Sequence, residues 1–594
     1  MNSYSCNMKI PVRYNHVGYA PDSAKIFFVN PQELEPACNK AENYFFRVER
    51  RLHCDDFSTI WEGSLVEGTF EHKGVCEYTG ETLWSGDFSA VRETGVFFIQ
   101  IWKKGVPEKD GLLFETEPFE ISNDWILRQL LANIKSFYYQ RSGVELTPDF
   151  AGKWARPAAH LDDCIGFHPS MQREGTWNAH GGWYDAGDYG KYIVNGGVSV
   201  ATLLLACELA SDCECDHLAN KAINAREPFV APDGLKMYSL MDEVRFELDF
   251  FLRMQDTDGG VFFKVTPERW DGFVSPKDSD TLQKRMILGK STTSTLNFAG
   301  ALAAASRVYR KRDAAFAERC LQAAVKAYKW AVSRPFVDWP HNTEGSGGYG
   351  DDHAEDEFFW ARAMLYRELQ TRGEAVDGVS AESLRPLLLE DMKVIPPKSA
   401  LDWRDTQNLG WIALAMQDLD REFRLYARTT LNMTAREIVD LQNDDAYGIP
   451  VRRFIWGSNG DIANNALTLA IVKRWAPSLG GNSLDFWCRE MLNYIYGRNP
   501  VDVSFVTGSA WSSPKEPHHR LSHSDGVEEP IPGLLVGGIN SDRQDMHRSP
   551  LIVPHYPGER PGFSYTDERC SFASNETAIN WNAPLTAVLA LLCF

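Results

Sequence analysis

No uninterrupted apolar run in the 594 residues approaches the ~18 that would span a bilayer, and the apolar end, LTAVLALLCF, is short enough to be a buried helix. Positive charge is also scarce: 61 Lys and Arg stand against 81 Asp and Glu, a formal charge of −20. A field of that sign repels phosphate backbones and anionic lipid, so neither nucleic acid nor a membrane is an expected partner. A cationic ligand such as an amino sugar would be attracted by it. The N-terminal MNSYSCNMKIPVRYNHVGY lacks a basic segment followed by an apolar one, which gives the expectation of no secretory signal and a cytoplasmic protein. The twelve cysteines lack the dense, even spacing of a disulfide framework and are expected to be reduced thiols. Cys207, Cys213, Cys215 and His217 cluster, but without the paired CxxC knuckles of structural zinc, so no metal is assigned to them.

With 44% hydrophobic and 24% charged residues, the composition is that of a globular protein longer than one ordinary domain. Its 18 Trp and 21 Tyr can fill a core or pave a sugar-binding cleft. Residues 9–122 contain short apolar or alternating segments split by turns, KIFFVN, YFFRVER, VCEYTG and GVFFIQIW, which suit an immunoglobulin-like β-sandwich. From residue 123 the spacing turns helical, as in DWILRQLLANIKSFYYQRSG, SVATLLLACELA, MDEVRFELDFFLRMQ and TSTLNFAGALAAASRVYRKR. The expectation for 123–594 is an all-helical domain whose long loops carry the chemistry.

Three segments could do so. In GGWYDAGDYGKY, Asp185 and Asp188 are close enough to repel, so that one can serve as a base while the other positions water. A solvated turn or a calcium loop is the alternative. In YTDERCSFASNETAINWNAPLTAVLALL, Glu576 enters the last apolar helix among amides and aromatics that could keep it protonated, although a helix cap would look the same. In FVTGSAWSSPKEPHHRL, His518, His519 and Arg520 offer donors to sugar hydroxyls, with a metal site as the other reading.

Together these segments resemble glycoside hydrolase family 9 over nearly the whole chain. Tyr565, Asp567, Phe572, Glu576, Ala578, Asn582 and Ala583 fall at the spacings of its C-terminal signature, and GGWYDAGDYGKYIVNGG is similar to its catalytic Asp loop. FYYQRSG, GGVFFKVT, KSTTSTLNFAGALA, GSGGYGDD, DEFFWARA, YIYGRNP, PHHR and GLLVGGIN add to the likeness, and NHVGYAPDSAKIFFV resembles the module that precedes the catalytic domain in one branch. The resemblance implies an immunoglobulin-like β-sandwich over 9–122 followed by an (α/α)6 barrel over 123–594. It further implies inverting hydrolysis with Glu576 as acid and Asp188, helped by Asp185, as base. Such a mechanism needs about 6.5–9.5 Å between the carboxyls to admit water. Trp183, Tyr184, Trp511, His518, His519, Arg520, Tyr565 and Trp581 are the expected sugar contacts. No cofactor is required, structural calcium is allowed, and no oligomeric state is assigned.

The chain also departs from the family pattern. Ser142 and Ala159 replace two cysteines associated with a structural zinc, so zinc is not expected. Phe263 replaces a His, and Ser509, Ala510, Trp511 and Ser512 replace a Gly-rich run. The expected substrate is a short β-1,4-linked oligosaccharide trimmed from its non-reducing end and terminated by glucosamine or glucose. Glu344, Asp351 and Asp352 are candidate neighbours for an ammonium group. An endo-β-1,4-glucanase is the alternative, and an inactive carbohydrate-binding protein a third reading.

Overall fold

A computed structural model describes residues 11–35, 40–53, 59–210, 217–341, 343–547 and 552–594. The period-2 alternation of the first part builds two sheets. One runs Val12–Arg13, Ile26–Val29, Thr82–Asp87, Glu71–Val75. The other runs Gly18–Tyr19, Phe119–Ile121, Gly95–Lys103, Tyr44–His53, Thr59–Gly68, with Leu112–Glu115 also paired to Gly95–Lys103. All pairings are antiparallel except Gly18–Tyr19 with Phe119–Ile121. Phe27, Val29 and Trp84 of the first sheet share a buried core with Phe46, Val48, Phe97 and Ile99 of the second. Phe27 meets Phe46 edge-on at 5.0 Å between ring centroids.

This sheet region is bonded to the helices that follow. Arg498, fully buried, donates to the carbonyl of Ile26 (3.2 Å), pairs with Glu490 (2.9 Å) and lies 4.6 Å over the Phe28 ring. Nearby, Tyr447 donates to Glu81 (2.8 Å) and Asn15 to Asn493 (3.0 Å).

Twelve helices of nine residues or more follow among the described residues. Six of them, Ile193–Ala210, Thr292–Tyr309, Glu355–Arg372, Gln407–Ala415, Ser458–Val472 and Ile579–Cys593, are buried on most of their surface. Ile193–Ala210 packs on Thr292–Tyr309, that on Glu355–Arg372, and that on Gln407–Ala415. On the other side Ile193–Ala210 packs on Ile579–Cys593, and that on Ser458–Val472. The other six lie against them from outside. Glycine allows the close approach: a Cβ on Gly300 would come within 2.6 Å of the Trp360 ring. Ile193–Ala210 is long and apolar enough for a membrane span, but it is 94% buried inside the protein, as a core helix is.

The expectation of a wholly helical 123–594 needs correction. A five-stranded sheet, ordered Thr176–Trp177, Ile165–Phe167, Arg285–Lys290, Phe262–Pro267, Lys191–Tyr192, is set among the loops that bear the Asp pair. All six residues of Phe262–Pro267 are buried, so that strand shows no apolar–polar alternation to read.

Candidate active site

The Asp loop leaves the core at Trp183 and re-enters it as the short strand Lys191–Tyr192 and the helix Ile193–Ala210. Gly181 and Gly182 adopt φ of +80° and +81°, a backbone that side chains disfavour. At Gly187 the reason for glycine is space: a Cβ would lie 2.0 Å from the carbonyl oxygen of His518. That contact joins the Asp loop to the His loop. Arg520 locks it, its guanidinium and its backbone N–H both donating to the Gly187 carbonyl (2.8 and 3.1 Å).

Asp185 is 1% exposed. Its Oδ1 accepts from the Asn195 amide at 2.6 Å and its Oδ2 from the Tyr349 hydroxyl. Burial, and next to it the charge of Asp188, pushes its carboxyl up to about 7. Three donors converge on Asp188: Gly190 N–H (2.8 Å), Tyr192 hydroxyl (3.2 Å) and Gly347 N–H (3.1 Å). Glu576 is fixed through its backbone, which bridges His518 in parallel and accepts from Gly537 N–H at 2.8 Å. Burial first, then Asp188, holds its carboxyl well above the usual carboxylate range, the direction a proton donor requires. A buried acid and a carboxylate surrounded by donors thus face one space. The geometry suits acid–base chemistry on a bond held between them.

That space is a cavity of about 720 Å³ lined by Asp185, Asp188 and Glu576, with Trp270, Trp403, Trp456 and Trp581 among its walls. Trp581 is therefore the one expected sugar contact that lines it. The other seven are held as follows. Trp183 is buried against Phe137 (4.9 Å), and its backbone N–H donates to Glu247 (2.6 Å). The Tyr184 hydroxyl meets His160 Nδ1 at 2.8 Å, and Tyr565 donates to Asn575 at 2.8 Å. His519 is enclosed by Gln140 and Ser522, with burial lowering its pKa to about 3, so it stays neutral. His518 is tied to the Arg569 carbonyl at 2.7 Å, and Arg520 serves the loop junction. Trp511, 45% exposed, lies with its ring 4.9 Å from that of His16 of the sheet region, tilted by 33°.

Glu344, Asp351 and Asp352 also miss the cavity wall. Glu344 is held by His168 (2.8 Å) and His341 (2.6 Å), and Asp352 is fully exposed. Asp351 faces inward to Asp356 and Glu357. Glu357 is fully buried and neither of its oxygens has a hydrogen-bond partner, nor do Asp351 Oδ2 and Asp356 Oδ1. Burial, with Asp356 and Asp351 alongside, drives the Glu357 carboxyl well up. Asp351 also pairs with His353 (2.7 Å) and Asp356 accepts from Thr406 N–H and hydroxyl (2.7 and 3.0 Å), but both Glu357 oxygens and one oxygen each of Asp351 and Asp356 are left without donors, an oxygen set that fits a hard cation such as Ca²⁺. At the cysteine cluster, Cys207 is buried with its thiol pushed up to about 12, while Cys213 and Cys215 lie outside the described residues.

Sequence reasoning missed the supports. Lys264, from the buried strand, donates to the carbonyls of Glu344 (3.0 Å) and Gly347 (2.8 Å) and to Ser346 Oγ (3.2 Å). It fastens the loop that brings Gly347 and Tyr349 to the aspartates. Burial lowers its pKa to about 7 against the pull of Asp188. Glu247 accepts the Trp183 backbone N–H, and burial shifts its carboxyl the opposite way, up to about 8. One signal was available: Glu243 and Glu247 share a helix face with Leu240, Val244 and Phe251, so two carboxyls sit where core residues belong.

Comparison with known proteins adds the lineage. The model of glycosyl hydrolase family 9 matches residues 128–589. A xyloglucan-specific endo-beta-1,4-glucanase of Bacteroides ovatus is 33% identical over 98% of this chain and 93% of its own. A cellodextrinase of Butyrivibrio fibrisolvens is 30% identical over 91% of this chain and 95% of its own. A solved structure of a family 9 enzyme from Bacteroides ovatus superposes with a TM-score of 0.79, at 31% identity and 98% coverage of both chains.

Proposed function

Because the chain belongs to glycosyl hydrolase family 9, we propose that its cleft hydrolyses β-1,4-glycosidic bonds of short oligosaccharides by inversion, with Glu576 as general acid and Asp188 as base. The carrying observation is convergence: three carboxyls from loops far apart in sequence line one cavity, and the acid among them is held up by burial. Glu576 gives its proton to the glycosidic oxygen as the bond to the anomeric carbon breaks. Asp188 takes a proton from the water that bonds to that carbon from the opposite face. Asp185, held by Asn195 and Tyr349, orients the water. Trp581 and the other cavity tryptophans stack on sugar faces.

The two facing sheets are an immunoglobulin-like sandwich over 9–122 in this reading. The six inner and six outer helices are an (α/α)6 barrel over 123–594. The Asp351, Asp356 and Glu357 oxygens would hold calcium as a structural ion, and the free thiols of Cys76, Cys164, Cys207, Cys320, Cys488 and Cys570 fit a reducing compartment such as the cytoplasm.

The cavity falls among pockets of roughly 300–1,000 Å³ that enclose a small ligand, which supports trimming of glucose- or glucosamine-terminated chains from the non-reducing end. Endo action is the second reading, favoured by the name of the Bacteroides ovatus relative. A tetramer labelled at its reducing end separates the two. Stepwise loss, labelled trimer before labelled dimer, is expected; early internal cuts in a long soluble glucan would replace exo with endo action.

A further inference from the structure

Six carboxyls face the cavity, Asp185, Asp188, Asp402, Asp461, Asp542 and Glu576, against one basic side chain, Arg404. Three belong to the reaction, and Asp542 is paired with Arg453 at 3.1 Å. Asp402 and Asp461 are left. Asp402 accepts the backbone N–H of Arg404 at 2.5 Å, and the neighbouring Asp405 is taken by Lys398. Among the described residues, neither Asp402 nor Asp461 forms an ion pair with Lys, Arg or His.

Asp461 sits in the first turn of Ser458–Val472, where a carboxylate also complements the helix dipole. The dipole does not account for Asn464, one turn further on the same helix face. Asn464 is 6% exposed and lines the cavity, and its Oδ1 has no donor. Asn580, 9% exposed on another part of the wall, has the same unmatched Oδ1. A buried amide oxygen without a donor costs stability that a bound ligand can restore. Every unmatched atom here is an acceptor, beside two uncompensated carboxyls. A sugar hydroxyl offers one donor and no charge, whereas an ammonium offers three donors and a positive charge.

The position adjoins the reacting centre along the same cavity wall. Tyr349 donates to Asp185 and meets the Trp403 ring edge-on at 5.2 Å, and Asp402 is the residue before Trp403. Burial, then Asp402 and Asp405, pushes the Asp461 carboxyl up to about 8, a cost that an approaching cation relieves.

From this arrangement we infer that Asp402 and Asp461 form an ammonium subsite, which selects oligosaccharides carrying a free amine on a sugar bound in the cleft. The inference rests on the glycosidase reading of the cleft, so binding and turnover are measured separately. Turnover of a β-1,4-glucosamine tetramer and of cellotetraose is compared for wild type, Asp461→Asn and Asp402→Asn. Binding of the glucosamine tetramer is measured by calorimetry on Glu576→Gln and on Glu576→Gln/Asp461→Asn.

The amine-to-neutral ratio of kcat/KM is expected to fall roughly ten- to a hundredfold in Asp461→Asn, as is the calorimetric affinity, the range for a lost charged hydrogen bond. If Asp461→Asn does not fold, Asp402→Asn carries the same expectation. An unchanged ratio, or a wild type that prefers cellotetraose, overturns the subsite and leaves the glycosidase reading standing. Calcium binding that needs Asp461 while amine binding does not also overturns it. Amine binding that depends on Asp461 without hydrolysis of either tetramer keeps the subsite and removes the glycosidase reading.

Discussion

Glu576 and Asp185 are both raised by burial, yet the proposed reaction asks different things of them. Glu576 must keep its proton, so activity is expected to fall as pH rises through its elevated pKa. Asp188 must take a proton from the attacking water. Glu576→Gln and Asp188→Asn should each lower kcat by at least ~10² with the fold intact, as loss of a proton-transfer group does; near wild-type turnover of a natural oligosaccharide in either variant contradicts the roles. Asp185 gives a stability test. Its carboxyl is at about 7 in the folded chain against 3.8 for the free group, so its stabilising protonated state is fully present below ~3.8 and is lost as pH rises through 7. Asp185→Asn should therefore gain about 2–3 kcal/mol relative to wild type between pH 5 and pH 8 in denaturant unfolding, and an equal difference at both pH values refutes the burial argument. The three carboxyls were legible because each lies in a dense local motif. Trp183 and Tyr184 are enclosed by Phe137, Glu247 and His160, because an aromatic beside such a loop can face the core as easily as the cleft. Lys264 and Tyr349 were hidden because their role exists only where two distant loops cross.

Elements with a clear 3.6-residue period were legible. Trp125–Tyr139, Leu240–Met254 and Ala314–Val332 stand where their apolar stripes put them. Ser458–Val472 was not read as a helix, since SNGDIANN opens it with poor helix formers. Tertiary contact explains part of that composition: a Cβ on Gly460 would come within 2.4 Å of the Trp581 ring. The small residues that weaken the helix signal are the ones that let a cleft tryptophan sit against it. At the start of Glu355–Arg372 the unsatisfied oxygens of Asp356 and Glu357 make the cation argument testable. A chelator should lower the Tm of the wild type and leave that of Glu357→Gln unmoved; equal shifts in both would show that this carboxyl set holds no stabilising ion.

Over the whole molecule, the strand Phe119–Ile121 is followed directly by the helix Trp125–Tyr139. The seam between the two regions was not legible, because Arg498 lies far in sequence from Ile26 and Phe28, the residues it holds. Arg498→Met leaves Glu490 buried beside a lost partner, so stability should drop by about 3–5 kcal/mol; a loss under ~1 kcal/mol would mean that the seam does not depend on this pair. The same long-range closure brings Glu576 to the Asp loop, and the central claim is that the two act from opposite faces of one sugar. Proton NMR of the first product released from a β-linked oligosaccharide, recorded before mutarotation, tests that claim directly. The account predicts the α-anomer first, and a β-anomer first would contradict direct attack by water and with it the assigned roles of Glu576 and Asp188.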